Sequence, residues 1–188
     1  AVDFLKDLGA PAYKIAAFEA VALPLITKEA GAGTPLIIST GMASLDEIGE
    51  ALVAANLAVC DEFALLHCVS AYPTPVSESN LRTLADIGQR FGTVVGLSDH
   101  SLGSAVSVAA VGLGACIIEK HFTLNKSAEG PDHASSIEPN ELKELVFGAN
   151  AIFEANGDEK NMLRIHAGMH IFERISQMHW QMPARPQQ

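Results

Sequence analysis

Short apolar runs alternate with helical patterns along this chain, and that alternation limits its fold more than any other feature. Runs rich in valine, isoleucine and leucine predict five strands, at residues 12–17, 35–39, 62–68, 93–98 and 115–120. Strands that are joined by a helix run parallel, because a long crossover returns the chain to the same end of the sheet. The sequence therefore predicts an α/β fold built from about five parallel βα units.

Helical patterns fill the gaps between these strands and predict helices at residues 2–8, 23–32, 78–89 and 103–113. The capping-box pattern Ser44-Leu45-Asp46-Glu47 predicts the start of another helix, and Glu138-Pro139 predicts the start of the last. The first helix looks like the tail of an element that begins earlier. A closed eight-stranded barrel normally takes about 250 residues, so 188 residues with five strands predict only part of one.

Composition narrows the possible partners and compartment. The chain is 48% hydrophobic and carries a net charge of −10, which argues against a nucleic-acid partner and against an anionic membrane surface. Its three cysteines lack CxxC spacing and predict no disulfide framework, as expected in a reducing cytoplasm. The sequence shows no signal-like segment and no apolar stretch of about 18 residues. We therefore expect a cytoplasmic protein without a membrane partner.

Two consecutive predicted strands each end in a histidine. The run Val94-Val95-Gly96-Leu97-Ser98-Asp99 leads to His100, and Ala115-Cys116-Ile117-Ile118-Glu119-Lys120 leads to His121. Neighbouring parallel strands lie about 5 Å apart, so imidazoles at equal heights could share one metal ion. The alternative is that each histidine only caps its strand with a hydrogen bond. Polar residues also follow the other strands, and ligands bind at the carboxyl ends of strands in α/β folds.

Six motifs in order carry a family resemblance: KIAAFE (14–19), STGM (39–42), HCVSAYPTP (67–75), GLSDH (96–100), EKHF (119–122) and GPDH (130–133). Each motif is weak alone, but their order and coherent spacing are specific. On these residues the chain resembles the sialic acid synthases, the N-acetylneuraminate synthase family. The resemblance covers roughly residues 1–153 and corresponds to the second half of that family's TIM barrel.

The resemblance implies that residues 1–155 form the C-terminal portion of a TIM (β/α)8 barrel. Family members also carry three earlier strands and a small antifreeze-like domain, which have no counterpart in these 188 residues. Residues 156–188 do not resemble the family's linker and are predicted to be an atypical tail, disordered or non-native. In this tail His166 and His170 have the spacing of a helical metal pair, but an unstructured tail is the favoured interpretation.

The resemblance implies an enzyme that condenses phosphoenolpyruvate with N-acetylmannosamine and releases phosphate. The family holds a divalent metal with two histidines, which correspond to His100 and His121. Manganese is the usual metal and magnesium is the alternative; either would polarise the sugar aldehyde as a Lewis acid. Glu19 matches a family glutamate that orients the attacking water or takes up a proton. These three residues are the predicted catalytic set, and the two histidines are also the predicted metal ligands.

The predicted substrate-binding residues are Lys14, Ser39, Ser70, Tyr72, Ser98 and Asp132. By resemblance the lysine binds phosphate, and the three serines present donors to phosphate and carboxylate. Tyr72 and Asp132 contact the sugar. Ala17 stands where the family commonly has serine, which puts one phosphate contact in question. Without the resemblance, all of these residues have ordinary interpretations as turn, loop or solvated residues.

Two alternatives to N-acetylneuraminate synthesis remain open. The chain could belong to a legionaminic or pseudaminic acid synthase, or to a more distant barrel enzyme that condenses phosphoenolpyruvate in the same way, although the GPDH motif favours the sialic acid branch. It could also be a non-catalytic fragment or interaction module, because the family's glutamate and lysine on the early strands have no counterpart here. We therefore expect this chain alone to be inactive. The resemblance implies a homodimer for the full-length family.

Overall fold

The computed structural model describes residues 2–60 and 62–157, and His166, His170 and the rest of residues 158–188 lie outside this part. Six helices and five strands alternate along the described chain: α1 Val2–Asp7, β1 Tyr13–Ile15, α2 Leu23–Ala30, β2 Leu36–Ser39, α3 Leu45–Leu57, β3 Phe63–Cys68, α4 Thr83–Phe91, β4 Val94–Asp99, α5 Ala105–Gly112, β5 Ile117–Lys120 and α6 Pro139–Asn156. Each strand overlaps a predicted apolar run. The structure also confirms both predicted helix starts. Ser44 caps α3, and Pro139 opens α6.

The helix predicted over residues 78–89 is present, but its predicted start is wrong. A single 3-10 turn, Val76–Glu78, comes first, and α4 begins only at Thr83. Asn80 lies between them with a φ of 39°, a left-handed conformation that an α-helix cannot contain. The first strand is also shorter than the predicted 12–17, since a second 3-10 turn, Ala17–Glu19, follows it directly.

The five strands form one parallel sheet in the order β1-β2-β3-β4-β5, which is the order of the chain. Right-handed crossovers place every connecting helix on the same side when the order never reverses. The result is an arc of a TIM barrel, as predicted, with helices outside and a concave inner face. Within the described residues, β1 and β5 each pair with one strand only. No helix in this part of the chain is long and apolar enough to span a membrane.

The arc is strongly curved, because side chains from its first and last strands meet. Lys14 on β1 and Glu119 on β5 form an ion pair with 3.2 Å between Nζ and Oε2. In a flat sheet these two strands would stand roughly 19 Å apart, given the usual strand spacing. The sheet therefore wraps around a cavity at the carboxyl ends of its strands.

Alternate residues of each strand face opposite sides of the sheet. Ile15, Ile38 and Leu65 are fully buried against α2 and α3 on the outer side. Ala64, Leu66, Val94 and Ile117 pack together on the concave side. This alternation places polar residues near the strand ends on the concave face, where they surround the cavity.

Gly96 marks the closest approach on the concave side. A Cβ atom at this position would lie 2.5 Å from the Ile117 carbonyl oxygen and 2.6 Å from Leu66 Cδ2. Only glycine leaves room for the neighbouring strand and for the Leu66 side chain. The packing below the cavity therefore requires this residue.

Candidate active site

A cavity of about 340 Å³ lies at the carboxyl ends of the strands. It is lined by six of the nine predicted site residues: Lys14, Ser39, Tyr72, Ser98, His100 and His121. They come from five successive βα connections or strand ends, so only the sheet curvature brings them together. A cavity at this end of a parallel arc is where ligands bind in barrel folds.

The two histidines stand side by side. Ser98 pairs with Glu119 and Asp99 pairs with Lys120 in the β4–β5 register, so His100 and His121 follow at equal heights. Their ring centroids are 5.4 Å apart. The Tyr72 ring lies against both imidazoles, with its centroid 4.1 Å from that of His100 and 5.6 Å from that of His121. The three rings form one wall of the cavity.

The protonation state of His100 follows from its surroundings. Its Nδ1 lies 2.9 Å from the Val69 carbonyl oxygen, which can only accept, so Nδ1 carries the proton. Burial lowers the pKa of the His100 imidazole, with the neighbouring His121 acting in the same direction against the Val69 hydrogen bond. The ring is therefore held neutral, with the lone pair on Nε2 and a fixed tautomer. This is the arrangement in which histidine serves as a metal ligand.

The imidazoles of His100 and His121 are nitrogen ligands that a metal in the cavity could bind. Within residues 2–60 and 62–157, no cluster of three or more His, Cys, Asp or Glu side chains is arranged to hold an ion. A cation at His100 and His121 would therefore complete its coordination with water or substrate oxygens. Divalent metals that activate substrates keep such open positions.

Lys14, Glu119 and Ser39 add polar groups to the lining of the cavity. The lysine side chain is 30% exposed and the glutamate 42%, so both ends of their ion pair can reach a ligand. Ser39 is only 1% exposed, and its Oγ has no hydrogen-bond partner within the described residues. A buried hydroxyl without a partner is costly unless a ligand supplies one. This corner suits an anionic group.

Three predicted site residues lie outside the cavity lining. The carboxylate of Glu19 is exposed and accepts a hydrogen bond from the Ala16 amide at 3.0 Å, where it caps the 3-10 turn. Asp132 Oδ2 lies 4.0 Å from His121 Nδ1, beyond hydrogen-bond distance but next to the cavity. Ser70 lies by the turn after β2, where a Cβ on Gly41 would come 3.1 Å from its Oγ.

The sequence patterns pointed to no site role for Glu119 or Cys68, yet both line the cavity. The signal for Glu119 was present, because it lies two residues before His121 and strand residues two apart share a face. Cys68 pairs with Ser98 in the β3–β4 register and therefore faces the same cavity. Burial raises the pKa of its thiol, so the sulfur stays protonated. By contrast His67 points away, with Nε2 2.9 Å from the Ser79 carbonyl oxygen, as expected for a strand-end hydrogen bonder.

Comparison with known proteins shows one consistent likeness. Residues 1–161 match the NeuB family. The chain is 46% identical over 159 residues to N,N'-diacetyllegionaminic acid synthase of Campylobacter jejuni subsp. jejuni serotype O:2, which covers 84% of this chain and 48% of that protein. It is 41% identical over 160 residues to pseudaminic acid synthase of Helicobacter pylori, covering 85% of this chain and 47% of that protein.

A solved structure shows the same likeness in three dimensions. The crystal structure of N-acetylneuraminic acid (sialic acid) synthetase from Leptospira borgpetersenii serovar Hardjo-bovis, in complex with citrate, matches with a TM-score of 0.82 and 34% identity. The match covers 87% of this chain and 57% of that one. The chain spans about half the length of the curated relatives it matches.

Proposed function

The chain belongs to the NeuB family, and on that premise we propose that it carries the metal-binding and phosphoenolpyruvate-binding half of a sugar-acid synthase. The reaction condenses phosphoenolpyruvate with an N-acylated amino sugar, N-acetylmannosamine in the first instance, and releases phosphate. One observation carries the proposal: two adjacent imidazoles share a cavity with a lysine and a buried, unpartnered serine hydroxyl.

The histidine pair fits a divalent metal. Val69 fixes the tautomer of His100, and burial keeps that ring neutral, so its Nε2 lone pair is available. His100 and His121 would hold Mn²⁺, with Mg²⁺ as the alternative, although imidazole ligands favour the transition metal. When bound, such an ion acts as a Lewis acid on the aldehyde oxygen of the open-chain sugar. Tyr72, stacked on His100, limits how far the rings can move.

The part of the cavity around Lys14 and Ser39 fits phosphoenolpyruvate. The Lys14 ammonium supplies a positive charge. The buried Ser39 hydroxyl has no hydrogen-bond partner within the described chain, so it is available to a ligand. Ser98, at the end of β4, adds a hydroxyl between this corner and the rings. Charge-assisted hydrogen bonds of this kind are about twice as strong as neutral ones. They can hold a phosphate in a protein whose net charge is −10.

The proposed chemistry uses these two corners together. The C3 carbon of phosphoenolpyruvate bonds to the aldehyde carbon, and the aldehyde oxygen takes up a proton to become a hydroxyl. Water adds to the C2 carbon, and the tetrahedral intermediate breaks its bond to the phosphate oxygen, which leaves a ketone. Lys14 and Ser39 hold the departing phosphate. We assign the orientation of the water to Glu19, whose carboxylate must then leave the Ala16 amide that it caps here.

The sugar is the finer part of the proposal. Asp132 and Tyr72 lie beside His121. Their carboxylate and phenol can bind sugar hydroxyl and amide groups. A legionaminic acid synthase is the second candidate, because a relative with that name is 46% identical. The two candidate enzymes both use phosphoenolpyruvate and differ in the sugar that binds beside His121.

A full-length chimaera tests the proposed function. Residues 2–157 replace the matching segment of the legionaminic acid synthase relative, and phosphate release is measured with N-acetylmannosamine and with the sugar precursors of legionaminic and pseudaminic acid. We expect release that requires both phosphoenolpyruvate and one of these sugars. The 188-residue chain alone is expected to show no turnover. A chimaera that is folded by circular dichroism but inactive, beside an active parent, would contradict the proposal.

Ser39→Ala gives a more local prediction. Removing a hydrogen bond to a charged group costs about 1.5–3 kcal/mol, so in the chimaera the KM for phosphoenolpyruvate should rise by about 10-fold or more while the KM for the sugar is unchanged. Ser79→Ala is the matched control, because Ser79 is also buried and its Oγ also lacks a partner in the described chain, but it does not line the cavity. Equal effects of the two substitutions would remove Ser39 from the phosphate site.

A further inference from the structure

A buried ion pair lies directly behind the two histidines. Asp99 precedes His100 and Lys120 precedes His121, and their charged groups meet with 2.9 Å between Oδ2 and Nζ. The Asp99 side chain is 2% exposed and that of Lys120 is 4% exposed. The mechanism proposed above uses neither charge. Because side chains alternate along a strand, the pair and the imidazoles project to opposite sides of the same two strand ends.

Further hydrogen bonds tie this pair to the surrounding backbone. Ser107 Oγ on α5 donates to Asp99 Oδ2, and the Ser101 amide donates to Asp99 Oδ1 at 2.8 Å. Lys120 Nζ also donates to the Ser101 carbonyl oxygen. The network therefore joins the ends of β4 and β5, the turn that carries His100, and the helix that follows.

The energetics of such a pair favour a geometric role over a stabilising one. Taking two charges out of water costs about as much as their attraction returns, and apolar replacements are often as stable. Asp99 accepts hydrogen bonds from Ser107 Oγ, the Ser101 amide and Lys120 Nζ, so both of its carboxyl oxygens have partners. The group is thus a carboxylate that accepts directed hydrogen bonds, which set the relative height of two strand ends.

We propose that Asp99 and Lys120 are positioning residues that hold the imidazoles of His100 and His121 in register across the β4–β5 boundary. The metal part of this inference rests on the proposed function, whereas the ring geometry does not. Loss of the pair lets the β5 end shift against β4 and separates the rings, which lowers the affinity for a shared cation. Groups that orient metal ligands typically change affinity by about 10–100-fold when removed.

The test compares three substitutions in the 188-residue chain and in the chimaera. Lys120→Met removes the charge at similar length, and Lys120→Gln retains a donor for Asp99 and for the Ser101 carbonyl. Lys126→Met is the matched control, because it breaks an ion pair with Glu141 just beyond β5 without touching the strand ends. Nuclear Overhauser cross-peaks between the two histidine rings are recorded without metal, and Mn²⁺ affinity is measured by electron paramagnetic resonance.

We expect Lys120→Met to abolish the inter-ring cross-peaks and weaken Mn²⁺ binding by about 10-fold or more. Lys120→Gln should restore most of both, and Lys126→Met should change neither. A folded Lys120→Met variant with unchanged cross-peaks and affinity overturns the proposal. If Lys120→Met does not fold, Ser107→Ala decides instead, since it removes one donor to Asp99, and unchanged cross-peaks there likewise overturn it. Absence of Mn²⁺ binding by the unsubstituted protein refutes the proposed metal site, and the cross-peaks still test the positioning role.

Discussion

His121→Ala is expected to lower the Mn²⁺ affinity by more than about 100-fold, and His100→Ala should do the same. Removing a group that only orients a ligand already costs up to about 100-fold, so removing one of the two proposed ligands should cost more. The remaining imidazole cannot compensate, because no third His, Cys, Asp or Glu in the described chain joins the pair to form a metal cluster. Titration followed by electron paramagnetic resonance measures the affinity.

The control for this prediction is His133→Ala. His133 is partly buried, its Nδ1 lies 2.7 Å from Thr123 Oγ1, and it does not line the cavity. Its removal should leave Mn²⁺ affinity unchanged while it tests the general cost of losing a histidine. Phosphoenolpyruvate binding should persist in His121→Ala, since the lysine and serine proposed to hold its phosphate, Lys14 and Ser39, lie on β1 and β2. Unchanged Mn²⁺ affinity in either His100→Ala or His121→Ala would rule out that residue as a ligand.

Gly96→Ala is expected to destabilise the fold by about 3 kcal/mol, at the upper end of the usual cost of overpacking a core. The new methyl group would meet the Ile117 carbonyl oxygen at 2.5 Å and Ile117 Cβ at 2.8 Å. Leu66 can change rotamer to relieve its own contact, but the backbone of β5 can move only by breaking its pairing with β4. Urea denaturation followed by circular dichroism measures the free energy of unfolding.

The same substitution at Gly49 provides a matched comparison. Gly49 lies inside α3, and the nearest atom to a Cβ there is Phe91 Cε1 at 4.0 Å. Alanine in a helix interior is more stable than glycine by about 0.5–1 kcal/mol, so Gly49→Ala should raise the free energy of unfolding. A Gly96→Ala variant as stable as the unsubstituted chain would show that β5 can move away from β4 at little cost.

Local sequence patterns were sufficient to predict the parallel βα units. Apolar runs marked all five strands, and the Ser44 box and Pro139 marked two helix starts, because each signal acts over a few residues. The late start of α4 was missed, since the left-handed conformation of Asn80 depends on how the loop after β3 packs.

The candidate site was only partly predictable for a related reason. The two histidines were found because each ends an apolar run, and their equal height followed from parallel pairing. The carbonyl of Val69 that fixes the His100 tautomer belongs to a different connection, and no local pattern indicates it. The contact of Lys14 with Glu119 depends on the curvature of the whole sheet. Interactions that form only when the whole sheet has assembled could therefore not be predicted from local sequence patterns.

The strand order that follows the chain order also bears on the folding pathway. Across residues 2–60 and 62–157, each strand pairs only with the strands next to it in sequence, and α2 packs on α3 as α5 packs on α6. Such coupling between neighbouring units resembles that of repeat proteins, in which folding starts at any unit and spreads to its neighbours. Because each new unit closes only a short loop, the entropy cost of each step is small. The ion pair of Lys14 and Glu119 is different, because it joins the first unit to the last. Its formation therefore reports that every unit between them has folded.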